Sequence, residues 1–288
     1  MASSVRWIPF FSCVLALGCA SHAPGKSGAA VSAGKLRHPS TRTFVSSTLR
    51  ETDRIFFVQG TTGKIDLGER GLRSALRSSG CEAEVVCLNW HGAYNRPFLY
   101  VVTNRAEYEI VVLGGQKLAD EIVAKRQSSP PTRFFLVGYS AGAEVIRQAL
   151  ELLPPDLKVD NVVFLMPACA PDAPFARALD NVDGRIYSIY SPLEPISASG
   201  ALMGGSDRRY AATAGLLGLH PPEGIDEPGR RLYESKVVNV PWQPRFALWG
   251  FAGDHFSGWS PAFVRNVILP MLEGHYRIEQ PVEARPIE

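Results

Sequence analysis

One stretch, residues 133–153, constrains the fold of this chain more than any other. The run from Arg133 to Val137 (Arg-Phe-Phe-Leu-Val) has the length and composition of a buried parallel strand. Gly138-Tyr139-Ser140-Ala141-Gly142 follows, small at both ends. Then Val145, Ile146, Ala149, Leu150 and Leu153 recur at helical spacing, and Pro154-Pro155 ends the helix. A strand that becomes a helix within five residues needs a sharp, strained corner. The positions flanking the corner must be small because neighbouring backbone passes close by. A serine at its centre projects its hydroxyl from the sheet edge, where the first N–H groups of the helix favour negative charge. The plainer alternative is an ordinary Gly-Ser-Gly turn in which Ser140 only caps the helix.

The rest of the chain supplies more such units. Apolar strands are expected at Arg54 to Val58, Glu84 to Leu88, Asn161 to Met166, Arg185 to Tyr190 and Lys236 to Val240. Helices are expected over Leu67 to Ser79, stopped by Gly80, over Arg105 to Arg126, and over Pro261 to Leu272, with Pro270 near its end. Gly114-Gly115 inside the second of these costs about 1 kcal/mol per glycine against alanine and reads as close packing on the sheet. A Gly/Ala-rich excursion from Ser197 to about Arg231 has little periodicity and is expected to overlie the sheet end. Strand-helix alternation of this kind gives an α/β fold: a mostly parallel, doubly wound sheet of about six strands, with the excursion between the last two.

The first residues differ from the rest. Trp7 to Leu17 is apolar but too short to read as a bilayer span, and Gly18-Cys19-Ala20-Ser21 is small. Residues 1–18 read as a secretory signal peptide. Leu15-Ala16-Leu17-Gly18-Cys19 also resembles a bacterial lipoprotein box, which implies lipidation of Cys19, a membrane anchor and an envelope location. Residues 19–43, rich in Ser, Gly, Ala and Pro, read as a flexible tether, and 44–288 as the folded domain. A net charge of +2, with no dense Lys/Arg run, gives no basis for nucleic-acid binding. Of the remaining cysteines, Cys81 and Cys87 flank a strand, about 20 Å apart, and Cys169 stands alone. No disulfide or zinc spacing follows, and all three are expected as buried thiols.

A serine hydroxyl becomes a nucleophile only beside a base whose tautomer a carboxylate fixes. His255 follows the last strand by a loop, between Gly253 and Gly258. His220 lies in the excursion, His275 lies beyond the final helix, and His91 reads as structural. Downstream loops offer Glu194, Asp172, Asp183 and Asp254 as the acid.

With the Gly-x-Ser-x-Gly corner, the histidine loop and the acid loop in this order, the chain from about Arg54 to Leu272 resembles a serine α/β-hydrolase of the esterase/lipase type. The resemblance implies Ser140 as nucleophile, Glu194 as acid with Asp172 the runner-up, and His255 as base. It also implies an oxyanion hole from the N–H groups of Thr61 and Ala141. The chain departs from common lipases in carrying Gln59-Gly60 where those have His-Gly. The implied reaction is acyl transfer from a small-molecule or lipid ester, without metal or organic cofactor. A catalytically silent envelope protein of the same fold, and an acyltransferase, are the other readings. The aromatic loop with Trp90 and Tyr94 hints at an apolar acyl site, although aromatic residues at loop roots more often serve packing. Substrate and oligomeric state stay open.

Overall fold

The computed structural model describes residues 48–60, 67–90, 104–128, 132–194, 207 and 212–277. Six strands form one sheet: β1 (Arg54–Val58), β2 (Glu84–Leu88), β3 (Phe134–Tyr139), β4 (Val162–Leu165), β5 (Ile186–Tyr190) and β6 (Val237–Pro241). Their order is β2-β1-β3-β4-β5-β6, and every neighbouring pair is parallel. The sheet is thus wholly, not mostly, parallel. The chain starts at β1, steps outward to β2, then crosses back to β3 on the other side. That reversal makes a topological switch point at the carboxyl ends of β1 and β3, the place where open α/β sheets bind ligands.

Helices on both faces explain why the central strands are apolar throughout. All six residues of β3 are buried. Phe56, Val58, Phe134 and Leu136 face one core, which α2 (Asn104–Ser128) and α3 (Gly142–Leu152) cover. Ile55, Phe57, Phe135 and Val137 face the other core, covered by α1 (Leu67–Ser78) and the last helix. Such alternation is what a strand buried on both sides must show. Helix α1 buries Leu72, Ala75 and Leu76 and ends as expected at Gly80, whose φ of +64° places it in the left-handed region. There the Cys81 N–H donates back to the Leu76 carbonyl at 3.0 Å, closing a Schellman motif.

Three local expectations need correction. First, Gly114 and Gly115 do not pack on the sheet. A Cβ on Gly114 would meet Trp90 Cβ at 2.9 Å, and one on Gly115 would meet Gln148 Cβ of α3 at 2.5 Å. The two glycines let α2 approach an indole and a neighbouring helix. Second, the excursion is not featureless to its end. After α4 (Ala176–Asp180), it holds α5 (Ala214–Leu217) and α6 (Glu227–Lys236). Asp226 caps α6 by accepting the Gly229 N–H at 2.9 Å, and Pro228 sits in its first turn. Only Tyr233 of α6 is buried, so its apolar stripe is too thin to register as a period. Third, Cys87 is exposed while Cys81 and Cys169 are buried. β2 is an edge strand, and its residues 84 and 87 face outward.

The closing helix has an irregular middle. Between α7 (Pro244–Ala247) and the tail run an α turn Pro261–Phe263, a π segment Val264–Ile268 and an α turn Leu269–Leu272, here together α8. Pro270 has no N–H to offer the Asn266 carbonyl, and the widened turn ahead of it leaves room for its ring.

Candidate active site

The strand-to-helix corner is built by steric exclusion. Ser140 has φ +53°, a left-handed conformation that costs a non-glycine residue about 1–3 kcal/mol. Its surroundings hold it there. A Cβ on Gly138 would sit 2.9 Å from Ile146 Cδ1 and 3.0 Å from Ala143 N. One on Gly142 would sit 2.1 Å from the Val58 carbonyl oxygen. Gly60, at the end of β1, comes so near that a Cβ there would be 2.9 Å from Ser140 Cβ. The smallness read from the sequence at 138 and 142 is therefore demanded by backbone and, at 138, also by the Ile146 side chain. The neighbouring strand fixes the main chain of residue 140 as well. Ser140 N–H donates to the Leu165 carbonyl at 3.0 Å, and its own carbonyl accepts from Ala143 and Ala168, each at 3.1 Å.

The base and the acid arrive from two other loops at the same sheet edge. His255 Nε2 lies 3.1 Å from Ser140 Oγ, and His255 Nδ1 lies 2.6 Å from Glu194 Oε2. A carboxylate only accepts, so the Nδ1 proton points at Glu194 and Nε2 is left to receive the serine proton. All three residues are buried, Glu194 at 1% exposure, His255 at 7% and Ser140 at 8%. The Glu194 loop is held by a Ser191 turn: Leu193 N–H donates to Ser191 Oγ, and Glu194 N–H to the Ser191 carbonyl. Ser191 N–H in turn donates to Gly215 of α5 at 2.9 Å.

The His255 loop is held by polar bonds. Asp254 accepts the N–H groups of Phe256 (2.7 Å) and Ser257 (2.8 Å) on Oδ1, and the Ser257 hydroxyl (2.6 Å) on Oδ2. Burial opposes its charge, but the Ser257 hydroxyl and these two N–H groups outweigh it and hold the carboxyl below its ordinary range. Gly253 turns the chain at φ +88°, with no room for a side chain against Ser191 and Trp242.

The other residues named from the sequence fall elsewhere. Asp254, spent on its own loop, and Asp183, which precedes β5 at the amino-terminal ends of the strands, are not at Nδ1. Asp172 lies half-buried in the loop after β4, near the Tyr233 phenol rather than His255. His220 reaches Pro171 through its backbone, and the His275 ring is 59% exposed beside Glu273. Thr61, His91, Tyr94 and Cys19 lie outside the described residues, as does the excursion over 197–206 and 208–211. On the Ala141 side, α3 begins without a side-chain cap, and among the described residues no hydrogen-bond acceptor takes the Ala141 N–H. An uncapped helix start beside Ser140 Oγ suits a developing oxyanion.

Two side-chain to main-chain bonds at this edge carried no sequence signal. The Tyr139 hydroxyl donates to the His255 carbonyl at 2.6 Å, and the Trp90 indole N–H donates to the Gln59 carbonyl at 2.8 Å. Trp90 is 5% exposed and pins the loop that leaves β1, which fits the packing reading of the aromatic loop root.

Six parallel strands in this order, with the serine corner after β3, make an α/β-hydrolase fold. No family model and no curated protein matches the chain. Among solved structures it is similar to an uncharacterized protein from Bacillus cereus ATCC 10987, at 12% identity and a TM-score of 0.43, over 82% of this chain and 64% of that one. It thus spans less than two thirds of that protein. It is also similar to a dienelactone hydrolase from Anabaena variabilis ATCC 29413 (12% identity, 81% and 90% covered, TM-score 0.43). A pyrethroid hydrolase from Sphingobium faniae JZ-2 is a third such structure (12% identity, 77% and 97% covered, TM-score 0.42). The fold is defined by its own strand order and crossovers; these likenesses say nothing about the site.

Proposed function

We propose that the protein is a serine hydrolase that cleaves carboxylic esters through an acyl-enzyme on Ser140. What carries the reading is the hydrogen-bonded line Glu194 Oε2–His255 Nδ1 (2.6 Å) and His255 Nε2–Ser140 Oγ (3.1 Å), buried beyond the carboxyl ends of the strands. His255 takes the hydroxyl proton as Oγ attacks the carbonyl. The resulting imidazolium is stabilised by Glu194. Charge on the carbonyl oxygen is met by the Ala141 N–H and, in this proposal, by the Thr61 N–H. His255 then protonates the departing alkoxide, later takes a proton from the water that attacks the acyl-enzyme, and returns it to Ser140 Oγ as the acid leaves. Nothing in these steps calls on a metal or organic cofactor.

The test is a chain-length series of nitrophenyl esters with wild type and Ser140→Ala, together with fluorophosphonate labelling. Ser140→Ala is expected to lose roughly a million-fold in kcat, and the label to sit on Ser140. Equal rates, or no adduct on folded wild type, would remove Ser140 from the chemistry and favour a silent binding protein of the same fold.

The leader belongs to the same proposal: export, with Cys19 lipidated at a bacterial envelope and the soluble domain tethered to it. Cys19→Ala should move the protein from the membrane to the soluble fraction; unchanged fractionation would refute the anchor.

A further inference from the structure

The Tyr139 phenol has no part in the proton transfers just described, yet it touches the machinery at a telling place. Tyr139 is the last residue of β3, next in chain to Ser140. Its hydroxyl donates to the main-chain carbonyl of His255 at 2.6 Å, across 116 residues of sequence. The ring is buried, edge-on to Trp259 at 5.4 Å and tilted against the His255 imidazole at 5.1 Å.

The contacts that shape the His255 loop are internal to it or reach the segments after β5 and β6, among them Glu194. Asp254 and Ser257 close the loop on itself, and Gly253 lies against Ser191 and Trp242. Among the described residues, the Tyr139 hydroxyl bond and the His255–Ser140 contact are the two hydrogen bonds joining loop 252–258 to the β3 corner. They form a closed circuit. It runs from Ser140 Oγ to the imidazole, along the His255 main chain to its carbonyl, across to the Tyr139 hydroxyl, and back one residue to Ser140. The nucleophile and the base are thus tied together behind the contact that matters.

We propose that the Tyr139 hydroxyl is a positioning residue that sets the separation of His255 Nε2 from Ser140 Oγ, a role that rests on the serine-hydrolase reading. The imidazole gains and loses a charge in every half-reaction, and the loop carrying it must not drift while it does. A misplacement of about 1 Å between reacting groups costs on the order of a hundred-fold in rate. The phenol is suited to the task. Burial, with the Glu194 and Asp254 charges nearby, pushes its ionisation upward, so it stays a donor across the working range. The aromatic ring can pack without the oxygen; only the oxygen reaches the carbonyl.

Tyr139→Phe removes that oxygen and keeps the ring. With nitrophenyl butyrate it is expected to lower kcat about ten- to a hundred-fold, with KM within about two-fold, and to slow fluorophosphonate labelling in parallel. The low-field proton resonance of His255 Nδ1–H should shift or broaden. Replacing residue 139 by 4-aminophenylalanine, which restores a donor, should recover part of the rate and serves if Tyr139→Phe folds poorly. A wild-type kcat per titrated site in Tyr139→Phe, or folded 4-aminophenylalanine protein no faster than Tyr139→Phe, would overturn the role. If wild type itself takes no label, the hydrolase reading fails. The resonance then still decides the positional claim, which an unchanged Nδ1–H signal in Tyr139→Phe would overturn.

Discussion

The serine corner and the histidine loop meet at 3.1 Å but are held in place by opposite means. Around Ser140 the restraint is missing volume: Gly60, Gly138 and Gly142 stand where any side chain would strike backbone or a packed neighbour. Around His255 the restraint is polar: one carboxylate, Asp254, gathers two N–H groups and a hydroxyl, and a phenol takes the carbonyl. Steric restraint is abrupt, since an added methyl either fits or does not. Polar restraint is graded and depends on protonation. The two halves of the site should therefore fail differently.

The largest effect should come from the steric half. Gly142→Ala would put a Cβ 2.1 Å from the Val58 carbonyl oxygen, and backbone there cannot yield without shifting β1. We expect a loss of about 3 kcal/mol or more in urea unfolding, with activity abolished. A stable Gly142→Ala protein would show that the corner is slacker than its packing implies.

Next is an ion pair lying between these two modes. Arg147 grips fully buried Glu144 one turn into α3, Nε to Oε2 at 2.9 Å and the second nitrogen to Oε1 at 2.5 Å. Burial pushes the Glu144 carboxyl up, and Arg147 pulls against that. Arg147→Met strands the carboxylate and should cost about 3–5 kcal/mol, while the double variant Glu144→Gln with Arg147→Met should recover much of it. A double variant no more stable than the single would show that the loss came from packing.

The polar half should give more softly. Asp254→Asn keeps the shape but weakens the bonds to Phe256, Ser257 and its hydroxyl. A cost of about 1 kcal/mol and a several-fold fall in kcat are expected. The sign with pH follows from the lowered carboxyl. Its stabilisation is present above the ordinary carboxylate value of 3.8 and is lost as pH falls through the lower, folded value. Acid unfolding of Asp254→Asn should therefore be less steep than that of wild type below about pH 4. Identical acid limbs would mean that the loop does not draw on this charge.

The smallest effect lies at the alkaline end. The Tyr139 phenol is raised by burial above its ordinary value of 10.0, so it stabilises the fold fully below that value. The contribution declines as pH climbs from there toward the folded value. Tyr139→Phe should flatten the alkaline unfolding limb beyond about pH 10, read by far-ultraviolet dichroism. An unchanged limb would mean that the phenol ionises as freely as one in water.

The same contrast explains what could be read in advance. The corner is local: glycine at 138 and 142, an apolar run before it and a helical period after it all lie within about twenty residues. The central strands β1, β3 and β4 were legible for the same reason, because two-sided burial leaves apolar runs. Glu194 and His255 could be placed only by their order after strands, and the choice of Glu194 over Asp172 rested on the likeness of the loop over 191–196 to the acid loop of the fold. The Tyr139–His255 bond had no local mark at all, since its acceptor is a main-chain carbonyl, which every residue carries. Gly114 and Gly115 were visible as glycines, but the partners that require them, Trp90 and Gln148, belong to other elements. Helix α6 was hidden by facing solvent on all but one side, although Asp226 and Pro228 announce its start.

Residue 140 gives its N–H to Leu165 and takes one from Ala168, so the tail of β4 brackets it from both directions. That tail is consequently not interchangeable with other surface connections. A graft or insertion between 165 and 168 would be harmless in length and composition, yet it would tilt the hydroxyl. Recombination of this scaffold would have to carry β3, the start of α3 and the β4 tail together as one cassette.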